Sequence, residues 1–149
     1  MIAVDTNVLV RLVTNDDPKQ SPRAAQLFAR NDVYISKTVL LETEWVLRGA
    51  YELSTEAIGS AFARLVEIPS VTLEDAPRVA RALGWYAAGL DFADALHLAS
   101  STVATGFTTF DRAFGKRAAS LSATPAAVSY THLRAHETKA NLVCRLLLE

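Results

Sequence analysis

Four acids stand where an apolar stretch gives way to a helix-like pattern. Asp5 ends Met1-Ile2-Ala3-Val4 and is followed by Thr6-Asn7. Asp91 and Asp94 share the segment Asp91-Phe92-Ala93-Asp94, and Asp111 follows Thr109-Phe110. Taken singly, each is explained as a helix N-cap, whose carboxylate accepts a backbone N–H of the first turn. Asp91 and Asp94 also have the N-cap and N3 spacing of a capping-box relative. Jointly they suggest more. In an open parallel sheet the strand C-termini share one edge, and ligands bind in the crevice there. Asp5 and Asp111 both fall at strand ends, and Asp94 lies in a first helical turn. If the two strands are neighbours, three carboxylates meet in one cleft. Bare carboxylates there repel one another, and one takes up a proton. A divalent cation removes that penalty, and an all-oxygen site suits Mg²⁺ or Mn²⁺. A metal site is the better joint explanation.

The segment Val39-Leu40-Leu41-Glu42-Thr43-Glu44-Trp45-Val46-Leu47 offers a fourth acid. Glu44 has Arg48 at i+4, the spacing of an ordinary surface ion pair. Glu42 has apolar helical neighbours and no cation among them, so Glu42 is the expected ligand. Arg112, Lys116 and Arg117 form a basic turn just after Asp111. They read either as a solvated helix face or as a rim that holds a phosphate backbone beside the acids. His97 is expected as a partly buried helical residue, with a ligand or general-base role as the alternative. Trp45, Trp85 and Tyr86 lie beside aliphatic residues, which predicts core or interface packing rather than base stacking.

These residues need a scaffold. The chain has 149 residues, 50 % hydrophobic and 21 % charged, with net charge −1. That suits one domain with its own core. Short β-branched runs at Ile2–Val4, Val33–Ile35, Val71–Leu73 and Gly106–Phe110 alternate with helical spacing. Helices are expected from Val8 to Val13, Lys19 to Arg30, Thr38 to Tyr51, Ser54 to Ile68, Glu74 to Gly89, Asp91 to Ala104 and Asp111 to Ala119. Such alternation predicts an α/β fold, a central short parallel sheet flanked by helices. One cysteine excludes a disulfide framework or a cysteine-rich zinc site. Near-neutral charge argues against grip on nucleic acid by bulk electrostatics. No apolar run is long enough to span a bilayer, and the N-terminus has no basic leader region, so a cytoplasmic location is expected.

Asp5-Thr6-Asn7, Glu42 in its helix, Asp91-Phe92-Ala93-Asp94-Ala95 and Thr109-Phe110-Asp111 together resemble a PIN-domain ribonuclease, nearest the VapC-type toxins of toxin–antitoxin pairs. The likeness runs from Met1 to Leu121. It implies that Asp5, Glu42, Asp94 and Asp111 bind Mg²⁺ or Mn²⁺ and are catalytic. Asp91 would be an auxiliary acid or cap, while Asn7 and Thr109 would support Asp5 and Asp111 by hydrogen bonds. It also implies metal-assisted hydrolysis of an RNA phosphodiester, a homodimer, and a cognate antitoxin as partner. Two other readings stay open. A non-catalytic PIN-like binding module is one. A haloacid-dehalogenase-like phosphatase is the other, although that family has a second Asp where this chain has Asn7.

The family's last strand should follow Leu121, but the segment from Val128 to Glu149 breaks the strand–helix rhythm. It resembles translated read-through of a transposon-type sequencing adaptor. The expected division is therefore a domain over residues 1–127 and a non-native tail over 128–149.

Overall fold

A computed structural model describes residues 1–129. The expected tail lies outside them from Tyr130 onward. Strand β1 (Ile2–Ala3) leads through helices α1 (Thr6–Thr14) and α2 (Gln20–Arg30) to β2 (Val33–Ile35). Helices α3 (Lys37–Gly49) and α4 (Thr55–Val66) then lead to β3 (Val71–Leu73). All three strands pair in parallel, in the order β1-β2-β3, with Ile2 opposite Val33 and Val33 opposite Val71. In the central strand Val33 and Ile35 are fully buried while Tyr34 is only half-buried, so one face carries the core. Helices α5 (Ala76–Ala87) and α6 (Phe92–Ser100) pack against each other and lead to β4 (Phe107–Thr109), α7 (Arg112–Ser120) and β5 (Ala127–Ser129). Strands β4 and β5 form a separate parallel pair.

The expected α/β fold is present, with most elements shorter and α1 longer than expected. Helix α6 ends at Ser100 rather than Ala104, and β1 has two residues. Such a short β1 offers few ladder groups. Among the described residues it pairs with β2 alone, and β4 pairs with β5 alone. The strand neighbourhood that would unite Asp5 and Asp111 is therefore not formed by backbone pairing. The family's last strand, which the tail is expected to replace, is present as β5, and it straddles the expected boundary at residue 127.

Two aromatic clusters fix α6 and α7, the helices that carry Asp91, Asp94 and Asp111. Phe92, at the start of α6, is fully buried, with ring centroids 5.6 Å from Phe62 and 5.3 Å from Tyr86. Burying a Phe ring contributes about 2–3 kcal/mol, so the first turn of α6 has little freedom to tilt. Phe114 of α7 meets Phe107 of β4 edge-on at 5.6 Å and anchors the turn that holds Asp111. Edge-to-face contact adds about 1 kcal/mol beyond the area buried.

Candidate functional site

Within the β1-β2-β3 sheet the parallel strands leave at one edge, and Asp5 stands there. The Asp5 carboxylate caps α1 by accepting the Val8 N–H at 3.0 Å. Ser36 caps α3 in the same way through Val39. The two helices thus start side by side at this edge, which brings α1 to Glu42. The Thr6 hydroxyl donates to Glu42 Oε2 at 2.6 Å. Asp5, Thr6 and Glu42 form one group, with the Glu42 carboxylate tied to α1.

The second group comes from α6 and α7. Asp91 caps α6 through the Ala93 N–H at 2.9 Å, and Asp94 lies in the first turn. Asp111 caps α7 by accepting from Ala113 at 2.7 Å and Phe114 at 3.0 Å. Its own N–H donates to the Thr109 hydroxyl at 3.0 Å, so Thr109 braces the backbone of Asp111. Asp91, Asp94 and Asp111 line one hollow of about 240 Å³ with Arg117. Burial, then the charges of Asp91 and Asp111, push the Asp94 carboxyl above its ordinary value, partly offset by His97. Three like charges gathered here are what a bound divalent ion would relieve.

The donor chemistry, all carboxylate oxygen, fits Mg²⁺ or Mn²⁺. The convergence is partial. Among the described residues no three Asp, Glu, His or Cys side chains come close enough together to hold one ion. Every acid of the expected quartet stands at the N-terminal part of a helix or beside one, where the helix dipole favours negative charge. Asn7 is exposed and lines a groove with Asp5 and Arg11 between α1 and α2. It makes no hydrogen bond to Asp5 among the described residues, and Thr6 rather than Asn7 braces an acid. Arg112, Lys116 and Arg117 are all exposed on α7. Arg117 lies across Gly89, whose φ of 99° suits glycine; a Cβ there would meet the guanidinium at 3.0 Å.

Several expectations fail at α3 and α6. The buried stripe of α3 is Leu40, Thr43, Glu44 and Leu47, so Glu42 is exposed rather than enclosed by apolar side chains. Glu44 is no surface residue: it is 1 % exposed. It accepts from Arg48 Nε at 2.8 Å and from the Tyr86 hydroxyl at 3.1 Å. Burial, with the nearby Glu44 charge, pushes the Tyr86 phenol up to about 12. Arg48 Nη2 also lies 3.7 Å from Asp91, which links α3 to the cap of α6. His97 is exposed, because its face of α6 points away from the core. Of the three large aromatics, Tyr86 is buried and Trp85 half-buried, but Trp45 is 67 % exposed.

The PIN domain family model matches residues 2–120. The chain belongs to the PIN domain family. Relatives in this family are nucleases that generally use divalent metal ions. Among solved structures the chain is similar to Mycobacterium tuberculosis VapC20, described as a sarcin–ricin-loop-cleaving toxin. Identity is 24 % and the TM-score 0.40, covering 78 % of this chain and 94 % of that one. No curated protein matches the chain. Among the described residues, no helix of this PIN domain is long and apolar enough to cross a membrane.

Proposed function

We propose that this PIN domain is a Mg²⁺- or Mn²⁺-dependent ribonuclease that hydrolyses RNA phosphodiester bonds, acting as the toxin of a toxin–antitoxin pair. One observation carries the reading: Asp91, Asp94 and Asp111 crowd one hollow, and Asp94 is disfavoured as an anion by burial and by its neighbours. Such a site destabilises the free protein and is suited to a cation. Asp5, Glu42, Asp94 and Asp111 are the residues that would hold the metal, with Asp91 auxiliary. When bound, a divalent ion supplies charge stabilisation for the scissile phosphate and activation of the attacking water.

The chain's own residues do the positioning. Thr6 keeps the Glu42 carboxylate turned to α1, and Thr109 holds the Asp111 backbone. The buried Phe92 ring fixes the α6 turn from which Asp94 projects. Exposed Arg112, Lys116 and Arg117 would hold the RNA backbone beside the acids. The homodimer and the antitoxin partner follow from the VapC resemblance.

Asp5→Asn and Asp94→Asn are expected to lower Mg²⁺-dependent RNA cleavage at least a hundredfold while the circular dichroism spectrum stays unchanged. Retained cleavage in both purified variants would reject the assignment. One observation favours a second reading, a non-catalytic binding module: the partial convergence of the acids. Calorimetric Mn²⁺ binding by a protein that turns over no RNA would establish the module instead.

A further inference from the structure

Helix α3 presents an outward stripe that the acids do not explain. Leu41, Glu42, Trp45 and Arg48 recur at three- and four-residue spacing and therefore share a face. With Ala93 from the first turn of α6 they line a hollow of about 320 Å³. Trp45 is 67 % exposed, a large apolar ring left in water. Beside it, the half-exposed Arg48 head is fixed from beneath, because its Nε donates to the buried Glu44 carboxylate at 2.8 Å. Its Nη2 faces Glu44 and Asp91, while Nη1 donates to no described residue. An oriented guanidinium edge thus stands one helical turn from an open indole face, and Glu42 shares the hollow.

We propose that this hollow is a nucleotide subsite for single-stranded RNA, in which a base stacks on the Trp45 indole and its phosphate meets Nη1 of Arg48. The proposal rests on the ribonuclease reading and names how the substrate is held. Every base has a π-face, so stacking on an indole binds RNA without regard to sequence. Arg48 is already charge-paired with Glu44 and Asp91. It therefore supplies hydrogen-bond direction more than net attraction, which suits placing a phosphate rather than capturing one. A nucleotide seated here is flanked by Glu42 on one side and the α6 turn bearing Asp91 and Asp94 on the other. A second copy of the chain fits the hollow less well. Leu41 and Trp45 are its only large apolar side chains, whereas a stable interface takes about 20–30 residues a side with charge depleted at its centre.

The chain has two tryptophans, so in a Trp85→Phe background Trp45 alone emits. A ten-nucleotide single-stranded RNA, kept intact by EDTA, is expected to quench that emission. In the wild-type background Trp45→Ala should weaken RNA affinity and raise the KM for cleavage about tenfold, with kcat within twofold. Trp45→Phe should keep both within about threefold. Absent quenching, or affinity and KM unchanged in Trp45→Ala, overturns the subsite. A change of molar mass in light scattering with unchanged RNA affinity does so too, and assigns the face to a second copy. Wild-type cleavage together with an indifferent Trp45→Ala removes the subsite alone; a wild type that neither cleaves nor binds RNA removes the ribonuclease reading as well.

Discussion

Asp94 is a carboxylate placed where its own charge is unwelcome. Burial, Asp91 and Asp111 all hold its folded-state value above the ordinary one. The folded protein therefore binds that proton more tightly than the unfolded chain does. The resulting destabilisation is absent below the ordinary carboxylate value of about 4, grows as pH rises toward the folded value, and is constant beyond it. With a chelator present, Asp94→Asn should raise the Tm at pH 7 by about 2 °C, and the gain should vanish near pH 3. Adding Mn²⁺ should raise the wild-type Tm and leave the variant nearly unmoved. A variant no more stable than wild type at pH 7 would show that the crowding has no cost. Asp16 has the opposite sign. Hydrogen bonds from Arg11, Thr14 and Tyr51 hold it well below the usual range, so its contribution is present at neutral pH and lost on acidification.

At the scale of elements, much was legible because the signals are local. Strands at Val33–Ile35 and Val71–Leu73, and N-caps at Asp5, Asp91 and Asp111, follow from runs and caps that need only a few neighbouring residues. Glu44 was misread for the converse reason. Its i+4 Arg48 is the same whether α3 turns it outward or inward, and the residue that decides is Tyr86 on α5, 42 positions away. Thr6 was passed over because its partner Glu42 is 36 residues distant. Strand neighbourhood, too, depends on long-range packing that no local pattern carries. The buried network makes its own prediction. Tyr86→Phe should cost about 1 kcal/mol in urea unfolding, and Glu44→Leu about 2 kcal/mol, since it leaves the Tyr86 hydroxyl without its partner. The double variant should cost clearly less than the sum, because both changes remove the same bond. Strict additivity would show that Tyr86 and Glu44 do not interact.

Over the whole molecule, the arrangement of charge matters more than its sum. Residues 1–127 carry 12 Lys and Arg against 14 Asp and Glu, a balance that would repel a polyanion if it were spread evenly. It is not spread evenly: Asp91, Asp94 and Asp111 share one hollow, and Arg112, Lys116 and Arg117 stand exposed on the helix that begins just after Asp111. A single-stranded RNA that bridges the two regions would release counterions where those cations meet its backbone, with little added by Arg48, whose charge is already paired with Glu44 and Asp91. Each such contact contributes about −0.7 to the slope of log affinity against log salt, so three contacts give a slope of about −2. Replacing all three cations by Ala should bring the slope near zero and raise the KM for cleavage, with kcat held because the acids are untouched. Arg134, Lys139 and Arg145 offer a rival source of the same slope, in the segment expected to be non-native. A chain ending at Ser129 separates the two. It keeps β5, whose pairing with β4 supports the Thr109–Asp111 turn. If α7 holds the backbone, that shortened chain binds RNA with an unchanged slope; if its slope collapses instead, the contacts belong to the tail and the rim on α7 is only a solvated face.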